Sequence, residues 1–138
     1  TNVIRFNATD NPTKQAAFPQ YTYPSAISRY ARLADYINMK ANEQENTPFL
    51  HIKANATQEE KVESLIDAIE SLKKELGVPA SIKDWGIDEE EFLAAVDELS
   101  INAFDDQCTS ANPRYPLISQ IKQLYLNCYY GTKWVEEA

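Results

Sequence analysis

The chain has 138 residues, 43% hydrophobic, 25% charged and 11% aromatic, which fits one folded domain and excludes a disordered chain. Three glycines, where usage of about 7% would give roughly ten, and one histidine exclude a glycine-rich phosphate turn or a multi-histidine metal site made by this sequence alone. A net charge of -8 argues against nucleic acid and against an anionic membrane as partner.

No apolar run approaches the roughly eighteen residues of a bilayer span. The opening TNVIRFNATD lacks the basic and apolar regions of a signal peptide and has no initiator methionine, which predicts a chain that begins inside a longer one. Two cysteines, Cys108 and Cys128, make no disulfide framework. They fit free thiols in a reducing, cytoplasmic setting, with a single bridge between them as the alternative.

In chain order, Thr1–Phe6 carries Val3, Ile4 and Phe6 and reads as a short strand or the last turn of a helix. Asn7–Pro24 contains Pro12, Pro19 and Pro24 among Asn, Asp and Thr, which is loop chemistry because proline removes donors and its predecessor avoids the α region. Phe6, Phe18, Tyr21 and Tyr23 would pack that loop down. Pro24 suits a first helical turn, and Ile27, Tyr30, Ala31, Ala34 and Ile37 predict a helix over about 24–38. A polar, irregular connector follows at about 40–57, interrupted by Phe49-Leu50-His51-Ile52.

Thr57-x-x-Glu60 is a capping box. It opens a helix with Val62, Leu65, Ile66, Ile69, Leu72 and Leu76 on one face, stopped by Gly77 and Pro79. Ser81–Trp85 predicts a short turn closed by Gly86. Asp88-x-x-Glu91 is a second N-terminal box, followed by Phe92, Leu93, Val96, Leu99 and Ala103. Pro116 starts a last helix whose buried face would be Leu117, Ile118, Ile121, Leu124, Tyr125 and Cys128, ending at Gly131. The tail TKWVEEA could hold another short helical piece. No stretch alternates like a strand and no repeat is visible, so the fold class is all-α, a helical bundle.

Most candidate clusters have a structural explanation. The acids Asp88–Glu91 belong to a helix start, where the macrodipole favours them, rather than to a metal site, and Lys73-Lys74 complement the opposite end of a helix. His51 has no second ligand three or four residues away and reads as a packed or surface histidine. The loop from Asp105 to Arg114 is the one dense polar island between two apolar helices. Two aspartates precede Cys108 and disfavour its thiolate, so this cysteine reads as a packed thiol rather than a nucleophile. Asn112-Pro113 suits a turn, and Arg114 could pair with Asp105 or Asp106 or cap carbonyls.

The run AFDDQCTSANPRYPLIS, Ala103–Ser119, closely resembles the C-terminal helical region of iron-dependent alcohol dehydrogenases, whose shared core is D-x-C-T-x-x-N-P-R. With Tyr129-Tyr130-Gly131, and with NVIRFNATDNPTKQ over Asn2–Gln15, it resembles the bifunctional aldehyde-alcohol dehydrogenases of fermentation. The resemblance implies that 1–138 is the C-terminal helical subdomain of a dehydroquinate synthase-like fold, with Thr1–Phe6 the end of a helix begun upstream. It implies a parent that reduces acetyl-CoA through acetaldehyde to ethanol. In that parent NAD(H) sits on a glycine-rich α/β subdomain and Fe²⁺ is held by one aspartate and three histidines, all N-terminal to this chain. This chain would then hold no cofactor, no metal ligand and no catalytic residue, and would be inactive alone. Cys108 matches a cysteine beside the alcohol pocket and is its substrate-pocket-lining residue, while Thr109, Asn112 and Arg114 shape the loop. The implied partners are the remainder of the alcohol dehydrogenase domain, whose cleft this part walls, and further copies in a homo-oligomer or filament. The alternative is a module for assembly alone, with Trp134 and Val135 of Thr132–Ala138 as its contact.

Overall fold

In the computed structural model, residues 1–9, 26–42 and 52–136 are described. Most of the loop expected over 7–24, Pro24 with its role at a helix start, His51 and the greater part of the connector lie outside them. Among the described residues there are five α-helices, α1 Asn2–Asn7, α2 Ala26–Asn42, α3 Gln58–Glu75, α4 Glu89–Asp105 and α5 Ile118–Tyr130, with one 3₁₀ turn at Thr109–Ala111. No strand occurs among the described residues. The first segment is therefore a helix, and α2 runs four residues beyond its expected end.

The helix ends follow local chemistry. Thr57 Oγ1 accepts from the Glu60 amide at 3.2 Å while Glu60 Oε2 accepts from the Thr57 amide at 2.8 Å, a complete capping box at the start of α3. At its other end the Val78 amide reaches Lys73 O and the Gly77 amide reaches Lys74 O, a Schellman closure that needs the left-handed φ of +69° at Gly77. The second N-terminal box is only half formed. Asp88 Oδ1 accepts from the Glu90 and Glu91 amides with no returning bond from the Glu91 carboxylate, and beside it the Glu89 carboxylate accepts from Lys83 Nζ at 2.7 Å and the Tyr130 hydroxyl at 2.8 Å. Lys83 and Tyr130 come from a turn and a helix that sequence spacing does not place beside Glu89.

Helices pack in two pairs. Ile27, Val62 and Ile66, then Ala34 and Leu65, join α2 to α3. Phe92, Val96 and Tyr129 join α4 to α5, the Phe92 and Tyr129 rings stacking at 4.2 Å. Burying each such side chain is worth about 1.5–3 kcal/mol. The turn after α3 closes onto the second pair. Ile82 and Lys83 amides donate to Cys128 O and Tyr129 O, satisfying carbonyls that the end of α5 would leave open. The Tyr129 hydroxyl donates back to Ile87 O at 2.9 Å.

Helix α1 is the wedge between the pairs. Ile4 and Ala8 pack on the α2–α3 core, and Phe6 turns the other way to meet Trp134 edge-on at 5.2 Å. Segment 132–136 has no regular secondary structure rather than being helical, and Trp134 is buried.

The apolar faces are narrower than their periodicity predicts. Leu72 of α3 and its C-cap Leu76, Leu93 and Leu99 of α4, and Ile118 of α5 with its N-cap Leu117 are exposed. The stripe of α4 that is buried is Phe92, Val96 and Ser100, the serine hydroxyl satisfied by Val96 O. Both cysteines are free thiols and both are exposed, which corrects the expected place of Cys128 on the buried face of α5 and of Cys108 as a packed thiol.

Candidate functional site

The polar loop between α4 and α5 is built by short-range bonds. Asp106 Oδ1 accepts from the Cys108 amide at 2.7 Å and Asp106 O accepts from the Thr109 amide at 3.0 Å, bending the chain out of α4. Cys108 O and Thr109 O then accept from the Ala111 and Asn112 amides at 3.0 and 3.1 Å, closing the 3₁₀ turn. The Thr109 hydroxyl ties that turn back to Ala103 O inside α4. Ser110 Oγ donates to Gln107 O.

Two side chains then fasten the loop to α1. Asn112 Nδ2 donates to Asn7 Oδ1 at 2.7 Å and to Arg114 O, while Asn7 Nδ2 donates to Asn112 Oδ1 at 3.0 Å. Arg114 is buried. Its guanidinium lies 4.2 Å from the Phe6 ring centroid, donates to Phe6 O at 3.0 Å, and grips both carboxylate oxygens of Glu136. Arg114 therefore caps a carbonyl as expected but pairs with Glu136 rather than with Asp105 or Asp106. The Arg114 guanidinium holds the Glu136 carboxyl below the usual carboxylate range, against the opposing effect of partial burial.

Asn2 and Asn127 secure the segment that carries Glu136. Asn2 Nδ2 donates to Thr132 O and Asn2 Oδ1 accepts from the Trp134 amide, both at 3.0 Å. Asn127 Nδ2 donates to Thr132 Oγ1 at 2.8 Å and Lys133 O at 3.2 Å. The outcome for the motif is a division of labour. Thr109, Asn112 and Arg114 are engaged inside the framework, and Cys108 is exposed as a free thiol. Asn2, Asn7, Trp134 and Glu136 escape a reading by spacing, because their partners lie 22 to 132 positions away.

A second concavity, of about 580 Å³, lies where Asn2 and Arg5 of α1 face Glu70 of α3, Trp85 of the turn and Cys128 of α5. Its polar groups are largely paired: Arg5 binds both oxygens of Glu63, and Glu70 accepts from Lys73 at 2.9 Å and from the Thr1 hydroxyl.

The chain matches the family described as "Fe-containing alcohol dehydrogenase family, C-terminal" over residues 1–129. It belongs to that family. It is 51% identical over 135 residues to the bifunctional aldehyde-alcohol dehydrogenase AdhE of Escherichia coli (strain K12), covering 98% of this chain and 14% of that protein. It is 53% identical over 127 residues to the aldehyde-alcohol dehydrogenase of Clostridium acetobutylicum, covering 92% and 13%. With the NADPH-dependent butanol dehydrogenase of Clostridium saccharobutylicum it shares 32% over 114 residues, 83% of this chain and 26% of that protein. The chain thus spans about one seventh of the length of these two aldehyde-alcohol dehydrogenases.

The all-helical architecture agrees with the C-terminal part of an Fe-containing alcohol dehydrogenase. Among the described residues no three His, Cys, Asp or Glu side chains converge closely enough to share an ion. No helix among them is long and apolar enough to cross a membrane.

Proposed function

We propose that residues 1–138 form the helical C-terminal subdomain of a cytoplasmic, bifunctional aldehyde-alcohol dehydrogenase, walling the cleft in which the aldehyde is reduced. The observation that carries this reading is the loop itself. Four motif residues, Asp106, Thr109, Asn112 and Arg114, make side-chain bonds that hold the loop, and Cys108 is an exposed free thiol on it. A small, weakly polar side chain on a firmly held turn is suited to lining a pocket for a short aldehyde. In this proposal NAD(H) and Fe²⁺ are held by the rest of the enzyme, acetyl-CoA is reduced to acetaldehyde in its other half, and the present chain has no turnover alone.

In the full-length enzyme, Cys108→Trp should raise KM for acetaldehyde about tenfold or more and leave acetyl-CoA reduction unchanged. An unchanged KM would remove Cys108 from the pocket. The isolated chain with Fe²⁺, NADH and acetaldehyde should oxidise no NADH, and turnover above a buffer blank overturns the claim that it is inactive alone.

Assembly into a homo-oligomer or filament is a second reading, and the structure narrows its surface. Trp134 is buried against Phe6 and Glu136 is bound to Arg114, which leaves Val135, 72% exposed, as the outward apolar group of 132–136. Val135→Asp in the full-length enzyme tests this contact without removing the scaffold. Filaments of unchanged length by electron microscopy exclude it.

A further inference from the structure

Segment 132–136 reaches the Cys108 loop by a continuous line of bonds. Asn2 and Asn127 fix its beginning through Thr132, Lys133 and the Trp134 amide. The Trp134 indole meets the Phe6 ring edge-on, and the Arg114 guanidinium lies over the same Phe6 ring. Glu136 then takes two of the guanidinium's donors. Arg114 O in turn accepts from Asn112, the residue that closes the 3₁₀ turn begun at Cys108.

Geometry sets what each bond can control. The guanidinium is a planar fork, and a bidentate carboxylate fixes its plane as well as its position. Without Glu136 the guanidinium keeps only its bond to Phe6 O and its contact with the Phe6 ring, neither of which fixes its plane as a bidentate carboxylate does. The Arg114 side chain then ties its own backbone to α1 less firmly, and the turn carrying Cys108, bonded to Arg114 O through Asn112, gains freedom to move.

We infer that Glu136 is a positioning residue for the substrate-facing loop, acting through Arg114 and Asn112 as the end of a strap laid across α1. The inference rests on the proposed place of Cys108 in the aldehyde pocket. Its mechanical half can be tested apart from that proposal.

The experiment uses the full-length enzyme with Glu136→Gln, Glu136→Asp and, as a distant ion-pair control, Lys61→Met, which removes the Lys61–Asp35 bridge. Hydrogen exchange is read by mass spectrometry on peptides covering 106–116 and, for reference, 89–105, alongside kcat and KM for acetaldehyde. With Glu136→Gln, exchange in 106–116 should quicken about tenfold while 89–105 holds. KM should rise about three- to tenfold with kcat little changed, Glu136→Asp should recover part of both effects, and Lys61→Met should move neither. Unchanged exchange in 106–116, or equal acceleration of both peptides, overturns the strap. Faster exchange in 106–116 with an unchanged KM keeps the strap and overturns the placing of Cys108 in the pocket.

Discussion

The side-chain amides of Asn7 and Asn112, 105 positions apart, face each other and exchange both hydrogen bonds, at 3.0 and 2.7 Å. Asn7 is only 2% exposed, so its amide cannot turn to water if Asn112 is removed, while Asn112 is half-buried. Such a pair acts as one unit, since a buried donor or acceptor without a partner costs about 1–3 kcal/mol.

Asn112→Ala should therefore lower stability by about 2 kcal/mol, read as a shift of the urea midpoint at constant slope. Asn7→Ala should cost a similar amount, and the double variant much less than the sum, because the second substitution removes a group already unpaired. Additive losses would show that the two amides do not depend on each other.

The ion pair between Arg114 and Glu136 sets a pH dependence. The Glu136 carboxyl titrates below its ordinary range when folded because of Arg114. Its contribution to stability is therefore complete above the ordinary carboxylate range and is lost as pH falls through that range to the lowered folded value. The stability gap between the native chain and Glu136→Gln should narrow progressively in acid. A gap that stays constant down to the lowest pH at which the chain folds would deny the linkage.

At the start of α3, Thr57→Ala removes the acceptor of the Glu60 amide and should cost about 1 kcal/mol. The loss appears as a lower thermal midpoint with little change in helical signal at room temperature. Thr57→Ser, which keeps the hydroxyl, should restore most of it.

Two glycines separate conformational from steric cost. Gly77 and Gly131 share a φ of +69°, but a Cβ at Gly77 would meet nothing within 4 Å, whereas at Gly131 it would approach the Ser81 Cβ to 3.3 Å. Gly77→Ala should cost about 1 kcal/mol from the left-handed backbone alone. Gly131→Ala should cost more, since the turn at Ser81 has to move. Equal losses would mean that this turn yields freely.

Capping and stop signals were legible in the sequence because they act over three to six residues. Thr57 and Glu60, Asp88, Gly77 and Gly131 sit where local spacing puts them, and the all-helical class follows. The exposed leucines were not legible. Periodicity identifies an apolar face, but whether Leu72, Leu76, Leu93 or Leu117 is covered depends on the reach of a neighbouring helix. The site divides along the same line: Asn112 and Arg114 are visible as motif residues, yet their partners Asn7, Phe6 and Glu136 come from opposite ends of the chain. Glu89 shows the reverse case, a residue explained locally by the helix dipole that tertiary contact turns toward Lys83 and Tyr130.

The two tryptophans occupy opposite environments, Trp134 being 7% and Trp85 70% exposed. Each is therefore an optical label for a different part of the molecule. Trp134 should emit at shorter wavelength and resist quenching by iodide, because its indole is buried against the Phe6 ring of α1. Trp85 should emit like free indole and be quenched readily. Replacing Trp85 with Phe leaves an intrinsic fluorophore that reports the seating of 132–136 directly, so release of that segment can be followed in real time without an attached dye.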